Sequence, residues 1–325
     1  MSQLLVLNNL ITNNLINMSR HVPVLSDEVV ESLKLKSKMN VVDCTLGDAG
    51  HAELILNKIK PEGRLLGIDA DPESVLRAKQ YLYGFGERAT FVRDNFINLK
   101  KIVAEVGLQP VNAILLDLGW STPQFEERGR GFSFEKDEVL DMRYSGGQSD
   151  SGSKTAGQVL NESSFLELKK IFKLYGEEKF SESIAQEIIE ARKIKPLEKT
   201  GELVKIVLKV YREKLHSDKE VPWIGGIHPA TKVFQALRIE TNNELKVLQE
   251  VLPQALDVLA PGGRLAVITF HSLEDRIVKH YFQKQSLVVE IITKKPIVAG
   301  EKELEVNAKA RSAKLRVVEK LEIRN

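Results

Sequence analysis

Short apolar runs alternate with helix-like patterns through the first third of the chain. Four of these runs have the length and the polar, glycine or proline boundaries of buried strands: residues 40–44, 64–68, 90–92 and 111–116. Between the first two, apolar residues from Ala52 to Ile59 recur on one face of a helix. Asp71-Pro72 predicts the next helix start, because Asp caps free amides and Pro suits the first helical position. This alternation predicts a parallel sheet with right-handed crossovers.

The alternation stops after Gln124. A stretch rich in glycine and serine at 145–153 predicts a loop, and helical periodicity without strands follows it. Gly176 is suited to end the first of these helices. Three apolar helix faces are predicted: Phe165, Leu168, Phe172 and Tyr175; Phe180, Ile184, Ile188 and Ala191; Leu203, Ile206, Val207 and Val210. We therefore predict an all-helical domain inserted at 140–225.

Strand patterns return after His228-Pro229. A helical pattern runs to Leu259, and Pro253 is expected to kink or divide it. A buried strand is predicted at 264–270, and residues 288–292 and 314–318 are expected to close the sheet as a pair. The predicted fold class is α/β, a doubly wound and mostly parallel sheet with an inserted all-helical domain. We expect a flexible N-terminal extension at 1–20. The rest is expected to form a core in two parts, 21–139 and 226–325, with the inserted helical domain at 140–225 between them.

Composition restricts the function classes without choosing one. The chain has 325 residues, 42% of them hydrophobic and 28% charged, with a net charge of +2; no apolar run approaches the ~20 residues of a bilayer span. Residues 1–17 contain no Lys or Arg, which argues against a secretory signal or a transit peptide, and Met18 is an alternative start. The single cysteine, Cys44, excludes an internal disulfide and a cysteine-based zinc site. It favours a reducing compartment, most simply the cytoplasm.

The C-terminal segment is locally basic although the chain as a whole is nearly neutral. Two interpretations stay open: a solvated strand and tail, or a patch that contacts nucleic-acid phosphates. The basic residues are Lys309, Arg311, Lys314, Arg316, Lys320 and Arg324.

The turn after the first strand, residues 43–51, is rich in glycine and opens a helix, so a ligand can approach its backbone closely. It lacks the G-x-G-x-x-G spacing of a dinucleotide fingerprint, and a tight structural turn is the alternative. Asp69 ends the second strand, 22 residues after Gly47, where an acid can bind a ribose diol or can cap the next helix. Together the features favour an adenosine-containing cofactor, a nicotinamide dinucleotide or S-adenosylmethionine. Phe96, after the third strand, is suited to an adenine ring or to the core.

The fourth strand ends at Asp117, before a polar turn that contains Trp120, Ser121 and Gln124. The exocyclic amine of a nucleobase is a poor nucleophile, because its lone pair is delocalised into the ring. An acceptor for its N–H localises the lone pair and stabilises the developing positive charge, without a metal. Asp117 and Ser121 are therefore the candidate catalytic residues. Trp120 could stack on a flipped base or pack at the strand end.

A second polar cluster, residues 270–276, follows the strand predicted at 264–270. A hydrolase triad is rejected, because Ser272 lies in no G-x-S-x-G elbow and adjacent residues cannot form a triad alone. We expect instead that His271 and Arg276 order the substrate, Arg276 through a phosphate. His21 and His228 are further candidates, each with a structural alternative.

At this point the chain resembles the bacterial 16S ribosomal RNA cytosine-N(4) methyltransferase family. The resemblance covers about residues 21–320, and several of the matching motifs are long and unusual. They occur, in order, at 21–25, 45–51, 68–72, 116–119, 130–134, 140–143, 175–178, 228–231, 234–239, 270–276 and 310–316.

The resemblance implies a class I, Rossmann-like methyltransferase that uses S-adenosylmethionine to methylate a cytidine amine of small-subunit rRNA near the decoding site. It leaves open whether the protein is a homodimer. Carried over residue by residue, the family's cofactor contacts fall on seven positions: Ala49, Gly50, His51, Asp69, Phe96, Asp117 and Gln124.

Three departures from the family pattern concern the site. Ala49 stands where the family usually has glycine, and Trp120 stands where it has valine, which puts the fit of the base in doubt. Residues 307–309 read Asn-Ala-Lys in place of Asn-Pro-Arg. Two rival functions remain: a nicotinamide-dependent oxidoreductase, disfavoured by the missing glycine spacing, and a non-catalytic rRNA-binding assembly factor.

Overall fold

A seven-stranded sheet forms the centre of the part of the chain that the computed structural model describes, residues 22–119, 129–146, 153–216 and 227–322. The strand order is β3-β2-β1-β4-β5-β7-β6. Strands β1 to β5 are parallel, and β7 runs antiparallel to both of its neighbours. The strands are β1 Asn40–Asp43, β2 Arg64–Asp69, β3 Ala89–Arg93, β4 Val111–Asp117, β5 Leu259–Thr269, β6 Val289–Ile291 and β7 Lys314–Lys320. The predicted doubly wound, mostly parallel sheet and its closing pair of strands are confirmed.

Helices flank both faces of the sheet, and six of the described helices lie between β4 and β5 in sequence, a group of four followed by two core helices. The core helices are α1 Ser26–Ser32, α2 Gly50–Lys58, α3 Pro72–Tyr81, α4 Leu99–Val106, α9 Ala230–Asn242, α10 Glu244–Val258, α11 Ser272–Lys284 and α12 Glu301–Val306. The group of four consists of α5 Ala156–Glu162, α6 Phe165–Tyr175, α7 Ser181–Ile194 and α8 Thr200–Leu215. Among the residues described, no helix combines the length and the apolarity needed to cross a bilayer.

Both faces of the central strands are buried, which explains why 111–116 reads as a continuous apolar run. Ile114 and Leu116 lie in the core under α4, α10 and α11. Ala113 and Leu115 lie in the core under α1, α2 and α3. Alternate side chains of one strand therefore supply two different cores.

A large bulge sets the register between β4 and β5. Leu259 pairs with Val111, but Arg264 pairs with Ala113, so residues 260–263 are looped out of the ladder. These include Pro261-Gly262-Gly263, in which Gly262 has φ 72°, a conformation that favours glycine. Above the bulge the register is regular up to Asp117, which pairs with Ile268. The two polar strand ends therefore lie side by side.

Helix boundaries agree with the capping signals in one place and differ in another. The Asp71 side chain accepts a hydrogen bond from the amide of Glu73, and Pro72 occupies the first turn of α3, as predicted. Of the two alternatives at Pro253, division is wrong, since α10 continues past it, and a kink stays a prediction. The chain divides instead at Asn243, whose φ of 51° ends α9, and Asn tolerates this left-handed conformation better than most residues.

The three predicted helix faces pack into a core of their own, separate from the two cores of the sheet. Phe172 of α6, Ile188 of α7 and Val207 of α8 are fully buried there. The same core also includes Phe132 and residues of α9, which lie outside 140–225. The proposed domain boundaries therefore stay a prediction.

Gly176 ends α6, as its position in the sequence predicts. A Cβ atom there would lie 2.5 Å from the carbonyl oxygen of Lys232 in α9 and 2.8 Å from that of Phe172. Both contacts are with backbone atoms, so glycine is required for α6 and α9 to approach this closely.

We expect Gly176→Ala to lower the free energy of unfolding by about 1–3 kcal/mol, because the added methyl group overpacks two backbone carbonyls. Urea denaturation measures the change. Gly84→Ala is the matched control, since a Cβ atom at Gly84 meets nothing within 4 Å. Equal effects of the two substitutions would contradict the packing argument.

Candidate active site

The carboxylate of Asp69 holds the glycine-rich turn in place. Its Oδ2 accepts a hydrogen bond from the amide of Gly47 at 2.9 Å, and its Oδ1 accepts one from the amide of Asp71 at 2.8 Å. The structure thus brings together the two features that the sequence paired. The carboxylate faces backbone donors, which is consistent with its capping alternative, and its predicted role toward a ribose stays a prediction.

The turn places Ala49 and Gly50 at the start of α2. Ala49 has φ 64° and ψ 22°, in the left-handed region, which costs a residue with a Cβ about 1–2 kcal/mol. A glycine adopts it freely, which explains the residue that the family pattern has here. A Cβ at Gly50 would lie 3.1 Å from the ring of Pro23, so this glycine lets the segment before α1 pack onto the turn. His21 lies outside the described residues.

Three ionisable side chains meet between β1, α2 and β4. Asp43 and His51 are buried, and His51 Nε2 lies 3.5 Å from Oδ2 of Asp117, whose side chain is 21% exposed. Burial, with a smaller contribution from the Asp117 charge, raises the pKa of Asp43 to about 6, although His51 opposes this shift. We name Asp43, His51 and Asp117 the acid–histidine group.

Several buried polar atoms of the acid–histidine group have no hydrogen-bond partner among the described residues. They are Asp43 Oδ2, His51 Nδ1, His51 Nε2 and Asp117 Oδ1. Buried polar atoms normally have partners. A polar, charged ligand at the glycine turn would supply them, so the residues present fit an amino-acid-bearing cofactor at this edge.

Phe96 lies at the start of a short 3-10 helix after β3. Its side chain is partly buried against the core under α4 and α10. Asn95 caps this helix by accepting a hydrogen bond from the amide of Ile97 at 3.0 Å. Phe96 is therefore at least partly a core residue, and its proposed contact with adenine stays a prediction.

The two polar strand ends are in contact. The amide of Leu118 donates a hydrogen bond to the carbonyl of Ile268 at 3.0 Å. Gly119, with φ 131°, lies so close to the ring of Phe270 that a Cβ there would be 3.3 Å from it. Asp117 and His271 therefore belong to one edge of the sheet. Trp120, Ser121 and Gln124 lie outside the described residues.

His271 serves a structural purpose that the sequence analysis missed. Its Nδ1 accepts from the amide of Glu274 at 3.4 Å and caps α11, and its Nε2 lies 3.1 Å from the Glu274 carboxylate. That carboxylate also accepts from the amide of Phe270 at 2.8 Å. Although burial raises the pKa of Glu274, the bond to His271 and the charges of His271 and Arg238 outweigh it and lower the pKa.

A buried ion pair lies beside this cap. Arg238 of α9 donates to both carboxylate oxygens of Glu244 at 2.7 and 2.9 Å, and Tyr144 donates to the same carboxylate at 3.0 Å. Glu244, His271 and Glu274 place ligand-type atoms within 4.8 Å of one another, but Arg238 already engages both oxygens of Glu244. Apolar periodicity gave no signal for this pairing. The only hint was that Arg238 lies within the family motif at 234–239.

Arg276 and Ser272 contact the helical insert. Ser272 donates to Oε2 of Glu177 at 2.9 Å, and Arg276 lies 3.4 Å from Oε1 of the same residue. Glu177 follows the close approach at Gly176 and has φ 47°. Arg276 is more than half exposed, so its expected contact with a phosphate is compatible with this weak pair and stays a prediction.

Two residues of the basic C-terminal segment bind to other parts of the fold. Arg316 forms a double hydrogen bond with Asp275 at 2.6 and 3.2 Å, and Lys320 donates to the carbonyls of Leu256 and Leu259. For these two residues a structural role replaces both interpretations that the sequence left open. Arg311 is exposed, and Arg324 lies outside the described residues.

His228 is a structural histidine. Its ring stacks on Phe134 with centroids 4.7 Å apart, and Nδ1 accepts from the amide of Ala230 at 3.1 Å. Burial lowers its pKa.

A cavity lined by Leu33, Asn112 and Arg264, among others, lies at the opposite edge of the sheet and contains no predicted site residue.

The chain is similar to known proteins over most of its length. The model of the MraW methylase family matches residues 18–321. The protein named ribosomal RNA small subunit methyltransferase H in Heliobacterium modesticaldum is 43% identical over 319 residues, which cover 93% of this chain and 98% of that protein. The protein of the same name in Brevibacillus brevis is 43% identical over 318 residues, with the same coverage.

Two solved structures also align with the chain. One is an rRNA methylase from Streptococcus thermophilus, with a TM-score of 0.42, 13% identity and coverage of 91% of this chain and 94% of that chain. The other is a Streptococcus mutans protein in complex with SAH, with a TM-score of 0.44, 10% identity and coverage of 94% and 100%. These likenesses are too distant to carry an argument about chemistry.

We expect Glu244→Gln to lower the free energy of unfolding by about 3–5 kcal/mol, because it leaves the Arg238 guanidinium buried without a counter-charge. Chemical denaturation monitored by circular dichroism measures the loss. The matched control on the same helix is Glu250→Gln, which removes an exposed pair with Lys246 at 3.8 Å and should cost at most about 0.5 kcal/mol. A loss below 1 kcal/mol for Glu244→Gln would show that water already reaches the pair.

Proposed function

The chain belongs to the MraW methylase family, and on this premise we propose that it transfers a methyl group from S-adenosylmethionine to the exocyclic N(4) amine of a cytidine in 16S rRNA, near the decoding site. The observation that carries the proposal is 43% identity over 93% of the chain with proteins named rRNA small subunit methyltransferase H. The protein is an enzyme of the S-adenosylmethionine-dependent methyltransferase class.

The cofactor binds at the carboxyl edge of β1, β2 and β4, where ligands bind in open α/β sheets. The proposed contacts are Ala49, Gly50, His51, Asp69, Phe96, Asp117 and Gln124. Supporting this, the described members lie at the ends of adjacent strands, and the acid–histidine group contains buried polar atoms without partners among the described residues. When bound, the cofactor supplies a methyl group on a positively charged sulfur.

Asp117 is proposed to contact the cytidine amine that receives the methyl group. Its Oδ1 has no hydrogen-bond partner among the described residues, and its side chain is partly exposed. A carboxylate oxygen in that state can accept an N–H of the cytidine amine and stabilise the charge that develops on nitrogen. Ser121 is the second proposed catalytic residue.

The substrate pocket is proposed to include Trp120, His271 and Arg276. His271 is held by Glu274 and lies next to Phe270, which contacts Gly119 beyond Asp117. Arg276 is exposed at the contact with the helical insert, a position suited to a phosphate of the RNA backbone. The insert and the core would thus both contact the RNA.

The substrate is 16S rRNA, either free or within the small ribosomal subunit. We propose a cytoplasmic location, because the proposed substrate is part of the ribosome. We include a homodimer in the proposal as a state to be measured in solution.

The rival functions have less support. A nicotinamide dinucleotide site would require the G-x-G-x-x-G spacing, which 43–51 lacks. A non-catalytic assembly factor would not need to retain a carboxylate at the end of β4. Membership of a methylase family supports transfer over both alternatives.

We expect the purified chain to transfer tritiated methyl groups from S-adenosylmethionine to 16S rRNA or to small subunits that lack the modification. Nucleoside mass spectrometry should identify the product as N(4)-methylcytidine. Fluorescence titration should show binding of S-adenosylmethionine and not of NADH. Binding without transfer to any of these substrates would favour the assembly-factor alternative.

We expect Asp69→Asn to weaken S-adenosylmethionine binding about 10- to 100-fold, because a hydrogen bond to a charged acceptor contributes about 1.5–3 kcal/mol. Isothermal titration calorimetry measures the dissociation constant. Thermal unfolding of the unliganded variant is the control, because Asp69 also holds the Gly47 and Asp71 amides. An unchanged dissociation constant in a folded variant would refute the role of Asp69.

A further inference from the structure

Asp43 is a buried acid at the cofactor edge to which neither the family pattern nor the amine chemistry assigns a role. It ends β1, and only 1% of its surface is exposed. It pairs in register with Leu115 of β4. Because alternate residues of a strand share a face, Asp43, Leu115 and Asp117 lie on the same face of the sheet. Leu115 packs there in the core under α2, the helix that carries His51.

The hydrogen bonds of Asp43 satisfy one oxygen and leave the other without a partner among the described residues. Oδ1 accepts from the amide of Thr45 at 3.1 Å and from its hydroxyl at 3.4 Å. The Thr45 hydroxyl in turn accepts from the amide of Asp117 at 2.7 Å. Thr45 therefore links the Asp43 carboxylate to the backbone amide of Asp117. Oδ2 is buried and unpaired, which is costly for a carboxylate and less costly for a protonated acid.

Among the described residues, two ionisable side chains act on the charge of Asp43. His51 faces it from α2 and Asp117 faces it from β4. On the other side, β2 presents the uncharged Gly67 at the paired position, and the Asp69 carboxylate two residues later is engaged with the amides of Gly47 and Asp71. Two acids thus share one imidazole, and a fixed positive charge entering this group would favour the ionised form of both acids.

We propose that Asp43 matches the charge of the site to that of the cofactor: its carboxyl group carries a proton when no cation is bound, and it releases that proton when a sulfonium cofactor binds. This inference rests on the proposed function and deepens it. The ionised group favours the positively charged S-adenosylmethionine over its neutral thioether product, S-adenosylhomocysteine. The two ligands share their adenosine and amino-acid parts, so the difference between them isolates the charge on sulfur.

The charge change fits the proton balance of the reaction. Methyl transfer breaks a sulfur–carbon bond, whose electron pair stays on sulfur, and forms a nitrogen–carbon bond. The amine exchanges one N–H for N–CH3, so one proton leaves, and sulfur loses its positive charge. The affinity of Asp43 for a proton rises once sulfur is neutral. The protonated acid therefore fits a site that holds the neutral product.

Proton release on binding tests the inference on the full chain. Calorimetric titrations at pH 6 in buffers of different ionisation enthalpy give the number of protons released. Burial places the pKa of Asp43 at about 6, so S-adenosylmethionine should release up to about half a proton per site, and S-adenosylhomocysteine clearly less. The preference for the cationic ligand, as a ratio of dissociation constants, should rise about five- to tenfold from pH 5 to pH 7, because the acid must ionise.

Asp43→Asn should abolish both the difference in proton release and the pH dependence of the preference. Asn has the shape of the protonated acid and cannot ionise. Asp48→Asn is the control for removing a buried acid from the same turn, because the Asp48 carboxylate lies 3.5 Å from Arg77; whatever its stability, this variant should keep the difference in proton release and the pH dependence of the preference. A purely structural role of Asp43 would weaken both ligands equally and leave the pH dependence intact.

Each result of these experiments either supports or contradicts the inference. Equal proton release for the two ligands overturns the inference with the unmodified protein alone, even if Asp43→Asn does not fold. Release that persists in Asp43→Asn assigns the proton to another group and also overturns the inference. Binding of S-adenosylmethionine without any proton release contradicts this inference only, whereas absence of binding at every pH contradicts the proposed function as well.

Discussion

The clasp between the Asp69 carboxylate and the amides of Gly47 and Asp71 is the interaction on which the site depends. One side chain at the end of β2 fixes the turn that follows β1 and the start of α3. With the turn fixed, Ala49 can hold its left-handed conformation and α2 can begin at Gly50. The first turn of α2 then places His51 3.5 Å from Asp117 at the end of β4. Three strand ends are thus coupled through a single carboxylate.

A second constraint joins the two halves of the chain. The bulge at 260–263 sets the register so that β5 ends beside β4, and Gly119 then contacts Phe270. Glu274 fixes the backbone at Phe270 and the ring of His271. The helical insert meets this edge through Glu177, which contacts Ser272.

Buried ionisable groups of this protein differ in whether their polar atoms have hydrogen-bond partners. Most buried ionisable groups of the insert and of α9 to α11 have direct partners, as Arg238 has in Glu244 and Arg316 in Asp275. The acid–histidine group differs, because its members leave buried oxygen and nitrogen atoms without hydrogen bonds among the described residues. Proteins retain such groups at functional sites because a ligand completes them. In the C-terminal segment, Arg316 and Lys320 are likewise engaged within the fold.

The sequence by itself determined the sheet, its parallel core, the helical interruption and the strand ends at Asp69 and Asp117, because periodicity and capping residues report burial and local hydrogen bonding directly. It also placed the helix start at Asp71. It missed the break between α9 and α10 at Asn243, because proline is a recognisable local signal whereas asparagine adopts the left-handed conformation at only some of its positions. Only the tertiary structure decided that Arg238 meets Glu244, that Glu274 holds His271, and that Asp43 shares a face with Asp117. Such pairs depend on register and on contacts between distant segments, and an ionisable residue carries no mark in the sequence of the partner that its fold provides.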